Sequence, residues 1–310
     1  MYEAEKVEIY IHIPFCERKC AYCDFLSFHA SAAEQKEYVE ALKEEMRQTW
    51  CDLPVSTVFI GGGTPSAISY GYIEEILGTL RECYDVMPGA EITLEANPGT
   101  VSAEKLSAYR GAGVNRLSFG CQSFHDDELA VLSRIHTKDD ILKSFHMARE
   151  SGFDNINLDL MYALPGQSIA SWKDTLKQAL ALGPEHISAY SLMIEDGTPF
   201  SERYGGPGGD MLPDEDAERA MAHLAADMTS EHGFRQYEIS NYAREGYESR
   251  HNTGYWTGVP YIGLGLGASS YLPETLAADS MEESEEEIWR AGMSFEAEPF
   301  ALPEQPRHRR

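Results

Sequence analysis

Three of the chain's six cysteines fall within eight positions. The stretch FCERKCAYCDF (15–25) sets Cys16, Cys20 and Cys23 in a C-x3-C-x2-C spacing, while Cys51, Cys83 and Cys121 stand alone. Thiolates this close together are ligands for zinc or for an iron–sulfur cluster. A structural zinc site draws on four ligands, with a second pair far from the first. No second C-x2-C exists here, so His12 or His29 would have to complete such a site. A [4Fe–4S] cluster suits three thiolates better, because three irons take one each and the fourth keeps an open position for an exchangeable ligand.

Other polar residues stand out against apolar surroundings. Gly61, Gly62 and Gly63 follow the run STVFI directly, with Thr64 next. Without a Cβ the backbone there can approach a ligand closely, or merely turn. Glu95 ends EITLE ahead of Asn97 and Pro98, where a surface carboxylate is the plain alternative. Asp159 lies between Leu158 and Leu160, and a buried acid needs a partner. Arg134 could supply one as a purely structural ion pair. His251 opens HNTGYW (251–256), with Tyr255 and Trp256 close behind. A lone loop histidine is ordinarily a solvated one.

Most of these residues fall at the ends of predicted strands. VEIYIHI (7–13), STVFI (56–60), EITLE (91–95), NRLSF (115–119), NINLDLM (155–161) and HISAYSL (186–192) are β-rich runs. Between them the spacing is helical: Tyr38, Leu42, Met46 and Trp50 recur every fourth residue, and Ile73, Ile76, Leu77, Leu80 and Tyr84 repeat at three and four. Gly183 and Pro184 end the helix that carries Trp172, Leu176 and Leu180. Six strand–helix units in succession imply an α/β fold of parallel strands joined by helical crossovers. A barrel and an open doubly wound sheet both fit. In either, ligands gather beyond the carboxyl ends of the strands, where the unusual residues fall.

After about residue 200 the rhythm changes. YGGPGGD (204–210) is a flexible break, a helix follows over 214–231, and then come an aromatic, polar stretch and YIGLGLGASS (261–270). From residue 272 the sequence is acidic and weakly periodic, and poor order is expected.

Composition narrows the partners. Of 310 residues, 43% are apolar or aromatic, enough for a large core. The net charge of −26 disfavours nucleic acid and anionic lipid. No stretch approaches the roughly 20 apolar residues of a membrane span, and MYEAEKVEIY lacks the pattern of a secretory signal. The expectation is a cytoplasmic, reducing location, where clustered cysteines bind metal more often than they pair.

The cysteine spacing, with aromatic Tyr22 before the last cysteine, resembles the signature of the radical S-adenosylmethionine (SAM) superfamily. That resemblance implies a partial (βα)6 barrel, with a small α+β C-terminal extension, and a cluster whose open iron binds the amino and carboxylate groups of SAM. YIHIPFCERKCAYCDF, GGGTPS, EANPG, RLSFGCQSF, LSRIH, NLDLMYALPGQ and HNTGYW resemble, in order, the coproporphyrinogen-oxidase-like family over about residues 7–271. The implied division is a barrel core at 1–200, a family-specific extension at 201–271 and an acidic tail at 272–310. The resemblance stops near Tyr271, as in a C-terminally truncated or divergent member.

The family has an oxidase branch and a heme-chaperone branch. The oxidases carry a further cysteine two places after the third, where this chain has Phe25, and an N-terminal extension before the motif, whereas the sequence here reaches Tyr10 almost at once. HNTGYW is similar to the HN-x2-YW motif of the chaperones. By resemblance, Tyr10, Tyr22, Gly62, Gly63, Thr64 and Glu95 belong to the SAM site. Gln122, Arg134 and Asp159 match positions that contact a second SAM in the oxidases. His251 matches a heme ligand, with the neighbouring aromatic rings suited to a flat porphyrin. Implied partners are heme, heme-recipient proteins and a reductant such as a flavodoxin or ferredoxin. Oxidative decarboxylation of coproporphyrinogen III is the alternative, and a radical enzyme acting on RNA is disfavoured by the acidic charge.

Overall fold

The computed structural model describes residues 6–49, 51–206, 209 and 211–272. The expected Trp50 position in the first helix and the acidic tail beyond Leu272 lie outside the described residues, as do three positions of YGGPGGD. Six strands run in chain order: β1 (Val7–Ile13), β2 (Val55–Gly62), β3 (Val86–Ala96), β4 (Arg116–Gln122), β5 (Ile156–Tyr162) and β6 (His186–Ser191). Each is parallel to its neighbour. Between them run α1 (Ala32–Gln48), α2 (Tyr70–Cys83), α3 (Ala103–Gly111), α4 (Asp126–Val131), α5 (Lys138–Glu150) and α6 (Ile169–Ala181). Crossover helices of this kind lay each new parallel strand beside the last.

Local sequence sets the helix ends. Ser31 caps α1 and Thr137 caps α5, each reciprocated by an acid three residues on, Glu34 and Asp140. Such boxes satisfy two otherwise orphaned backbone donors. The strands alternate. Ile9, Ile11, Val58, Ile60, Leu94, Leu117, Leu158 and Ile187 are fully buried. Side chains at i and i+2 share a face, so Glu8, Tyr10 and His12 of β1 fall together on the other one.

The remaining elements are α7 (Pro199–Tyr204), α8 (Glu215–Glu231), β7 (Arg235–Gln236), β8 (Asn241–Ala243), α9 (Arg250–Thr257) and β9 (Tyr261–Leu264). The sheet order is β7-β8-β6-β5-β4-β3-β2-β1-β9, an open sequence with β7 and β9 at its edges. The stretch read from sequence as an extension therefore completes the same sheet. β9 lies parallel against β1, and β8 antiparallel against β6.

HNTGYW corrects the sequence reading: it is helical rather than a loop. Ser249 caps α9 by accepting from the Asn252 backbone, and Gly258 closes it in the left-handed conformation at φ 73°. The helix start is tied to the sheet, because the Glu91 carboxylate accepts from the backbone N–H groups of Arg250 and His251 at 3.1 and 3.2 Å.

Candidate cofactor site

The cysteine loop leaves the carboxyl end of β1 and is pinned at its base. Cys16 N–H donates to the Phe28 carbonyl at 2.9 Å, and Phe28 N–H donates to that of Pro14 at 2.8 Å. Phe15 packs edge-on to both Phe28 and Tyr38, with centroids 5.7 and 5.1 Å away. Within the loop, Cys23 N–H donates to the Cys20 carbonyl at 3.2 Å. Phe200 N–H donates to the Ala21 carbonyl at 3.1 Å, which ties the loop to α7.

All three thiols are free, half-buried and in the wall of one cavity of about 350 Å³. Burial pushes the Cys23 thiol above its ordinary value. Among the described residues no three His, Cys, Asp or Glu side chains converge closely enough to hold a single metal ion. His12 does not complete a zinc site. Its Nε2 lies 2.9 Å from the Leu26 carbonyl, which can only accept, so Nε2 carries the proton and Nδ1 accepts from the Tyr10 hydroxyl at 3.0 Å. His29 is exposed and outside the cavity wall.

Gly62, Gly63, Thr64, Glu95, Gln122, Arg134, Asp159 and Tyr22 share that wall with the thiols. Gly62 has φ 105°, and a Cβ there would run into the His12 ring. Its N–H donates to Glu95 Oε2 at 3.0 Å. Thr64 Oγ1 is 3.4 Å from Cys16 Sγ and accepts from Asn97 Nδ2 at 2.9 Å. Burial, reinforced by the nearby Asp159 charge, raises the Glu95 carboxyl to about 7. Burial also raises Asp159, although the carboxyl accepts from Ser118 Oγ at 3.0 Å and Asn157 Nδ2 at 2.8 Å. Gln122, at φ 65°, accepts from the Tyr190 hydroxyl at 3.0 Å. The Tyr22 ring packs against the cluster of Met161, Leu164, Leu192 and Phe200, and burial holds its phenol neutral.

Arg134 and Asp159, paired in one reading of the sequence, do not form that pair. Arg134 instead donates from Nη1 to Cys20 Sγ at 3.4 Å and from Nη2 to Asn97 Oδ1 and the Gly120 carbonyl at 2.5 and 2.6 Å.

Tyr10 and His251 stand outside the wall of this cavity. The Tyr10 ring stacks on Phe59 at 6.2 Å. His251 is only 1% exposed, its ring stacked at 5.2 Å on Phe59. Nδ1 lies 2.7 Å from Thr57 Oγ1 and Nε2 lies 3.0 Å from the Tyr255 hydroxyl. Burial holds this imidazole neutral, lowered to about 3. Tyr255 and Trp256 are 42% and 62% exposed.

Sequence reasoning missed the polar groups around that histidine. Glu8 is 1% exposed, its Oε2 3.7 Å from His251 Nδ1 but without a hydrogen bond, and burial raises its carboxyl to about 8. Arg116, 2% exposed, lies near enough to offset the charges of Glu95 and Asp159. The signal was the polar alternation of Glu8, Tyr10 and His12 in β1 and of Arg116 and Ser118 in β4.

A sheet that delivers three cysteines from the loop after β1, and a glycine–glutamate pair from β2 and β3, defines a class. The Radical SAM superfamily profile matches residues 10–179, and the chain belongs to that superfamily. A solved structure of coproporphyrinogen III oxidase (HemN) from Escherichia coli, described as a radical SAM enzyme, superimposes with a TM-score of 0.76 at 25% identity, covering 87% of this chain and 65% of that one. Within the superfamily the chain belongs to the HemW heme chaperone family. It is 42% identical over 270 residues to heme chaperone HemW of Bacillus subtilis (strain 168), covering 86% of this chain and 71% of the relative. It is 39% identical to the Synechocystis heme chaperone HemW, of whose length it spans 65%. No helix among the described residues is long and apolar enough to cross a membrane.

Proposed function

We propose that this protein is a heme chaperone which holds a [4Fe–4S] cluster on Cys16, Cys20 and Cys23, binds SAM beside it, and delivers heme to recipient proteins. The observation that supports this most is the sharing of one cavity of about 350 Å³ by the three thiols and the Gly62–Glu95 pair. When bound, such a cluster supplies an electron and an open coordination position for SAM. The chain's own residues do the rest. Gly62 and Gly63 let the backbone come close to the methionine end of the ligand, Thr64 stands beside Cys16, and Glu95 keeps Oε1 to accept from the ligand's amino group while Oε2 holds Gly62 N–H.

Heme is the cargo, and His251 is the proposed axial ligand. Its imidazole is neutral, as a ligand must be. Coordination through Nε2 requires the Tyr255 hydroxyl to give way, and through Nδ1 that of Thr57. Heme added to the protein should develop a histidine-type Soret band that His251→Ala weakens and shifts, with the iron–sulfur signal intact. An unchanged spectrum in that variant would remove His251 from the proposal.

The similarity to coproporphyrinogen III oxidase favours a second reading, decarboxylation of coproporphyrinogen III. Phe25 stands where the oxidases carry a further cysteine. Protein supplied with reductant and SAM should therefore leave coproporphyrinogen III unchanged, and turnover that depends on Cys16 would put the enzyme reading first. Localisation in the cytoplasm and a flavodoxin- or ferredoxin-type reductant belong to the same proposal.

A further inference from the structure

Arg134 joins three separate parts of the cavity wall. It reaches the cysteine loop at Cys20 Sγ (3.4 Å), the end of β3 at the Asn97 side chain (2.5 Å) and β4 at the Gly120 carbonyl (2.6 Å). The backbone is shaped to allow this. Ser133, immediately before it, adopts φ 61°, in the sparsely populated left-handed region. A Cβ at Gly120 would stand 2.8 Å from Asn97 Oδ1 and 3.1 Å from Arg134 Nη2. Asn97 in turn donates to Thr64, whose hydroxyl lies against Cys16 Sγ. The planar fork thus connects two of the three thiols through one chain of hydrogen bonds.

We propose that Arg134 is a positioning residue for the iron–sulfur group: it fixes the Cys20 sulfur and, as a cation donating to that sulfur, makes the bound group easier to reduce. Hydrogen bonds to cluster sulfurs and nearby charge are the protein's means of tuning such potentials. The inference rests on the cluster assignment of the preceding section.

The test uses the full chain, reconstituted anaerobically, with Arg134→Gln and Arg134→Lys beside the unsubstituted protein. Iron content, far-ultraviolet circular dichroism and a redox titration followed by electron paramagnetic resonance are the readouts. Arg134→Gln should shift the reduction equilibrium about tenfold against the reduced form, 59 mV for one electron. Arg134→Lys, which keeps the charge, should recover most of that shift. If Arg134→Gln folds but fails to load iron while Arg134→Lys loads it, the positioning role is likewise supported. Full iron content with an unchanged potential in Arg134→Gln overturns the proposal. So do equal losses in Gln and Lys, which would leave the charge without a role. Failure of the unsubstituted protein to take up iron would instead overturn the cluster assignment.

Discussion

The Tyr255 hydroxyl lies 3.0 Å from Nε2 of His251, one helical turn away on α9. With Thr57 Oγ1 2.7 Å from Nδ1, both ring nitrogens are engaged inside the protein. The histidine proposed to meet heme is therefore latched, and heme must compete with a phenol for it.

Removing the latch should help the ligand. A single hydrogen bond contributes about 1 kcal/mol net, so Tyr255→Phe should raise heme affinity about fivefold in a titration followed at the Soret band. Unaltered affinity would mean that Tyr255 does not compete with heme for the imidazole.

A second expectation concerns pH. The Glu8 carboxyl is raised from 4.5 to about 8, first by burial. Between those values the unfolded chain has released this proton and the folded chain still holds it. Unfolding then releases a proton, so stability falls as pH rises through the window, by at most about 1.4 kcal/mol per pH unit. Above about 8 both states are ionised and the slope ends. Glu8→Gln, which mimics the protonated form, should flatten the decline in urea unfolding from pH 5 to pH 8. Identical pH profiles would show that Glu8 ionises normally in the fold.

Gly62 offers a backbone test. At φ 105° with the His12 ring in the space of a Cβ, Gly62→Ala introduces both strain and a clash. The cost should be on the order of 1–3 kcal/mol, read by denaturant unfolding, together with loss of the SAM response. Unimpaired SAM binding in a stably folded variant would separate this turn from the ligand.

The sequence made the six parallel strands legible because each is a short buried run with β-branched residues and a helix behind it. β1 falls on the expected Val7–Ile13, and the other five lie within a few residues of their runs except for the early start of β3 at Val86. Elements held by distant partners were not legible. Glycines in YIGLGLG hid β9, which forms through pairing with β1. Helix α9 contains Gly254 and two threonines, poor helix formers, and is stabilised by the Glu91 carboxylate about 160 positions away. Gly254 fits because a Cβ there would overlap the Glu8 carboxylate. The same holds for the site. Spacing exposed the three cysteines, but the bond from Arg134 to Cys20 spans 114 positions, and no local pattern encodes it.

The cluster assignment is tested most directly by anaerobic reconstitution followed by electron paramagnetic resonance of the reduced protein with and without SAM. The account predicts about four iron and four sulfide per chain and a [4Fe–4S]⁺ signal that SAM perturbs. Alanine at Cys16, Cys20 or Cys23 should abolish that signal, and alanine at Cys51, Cys83 or Cys121 should leave it in place. Stoichiometric zinc without iron uptake, or an iron–sulfur signal indifferent to SAM, would contradict it.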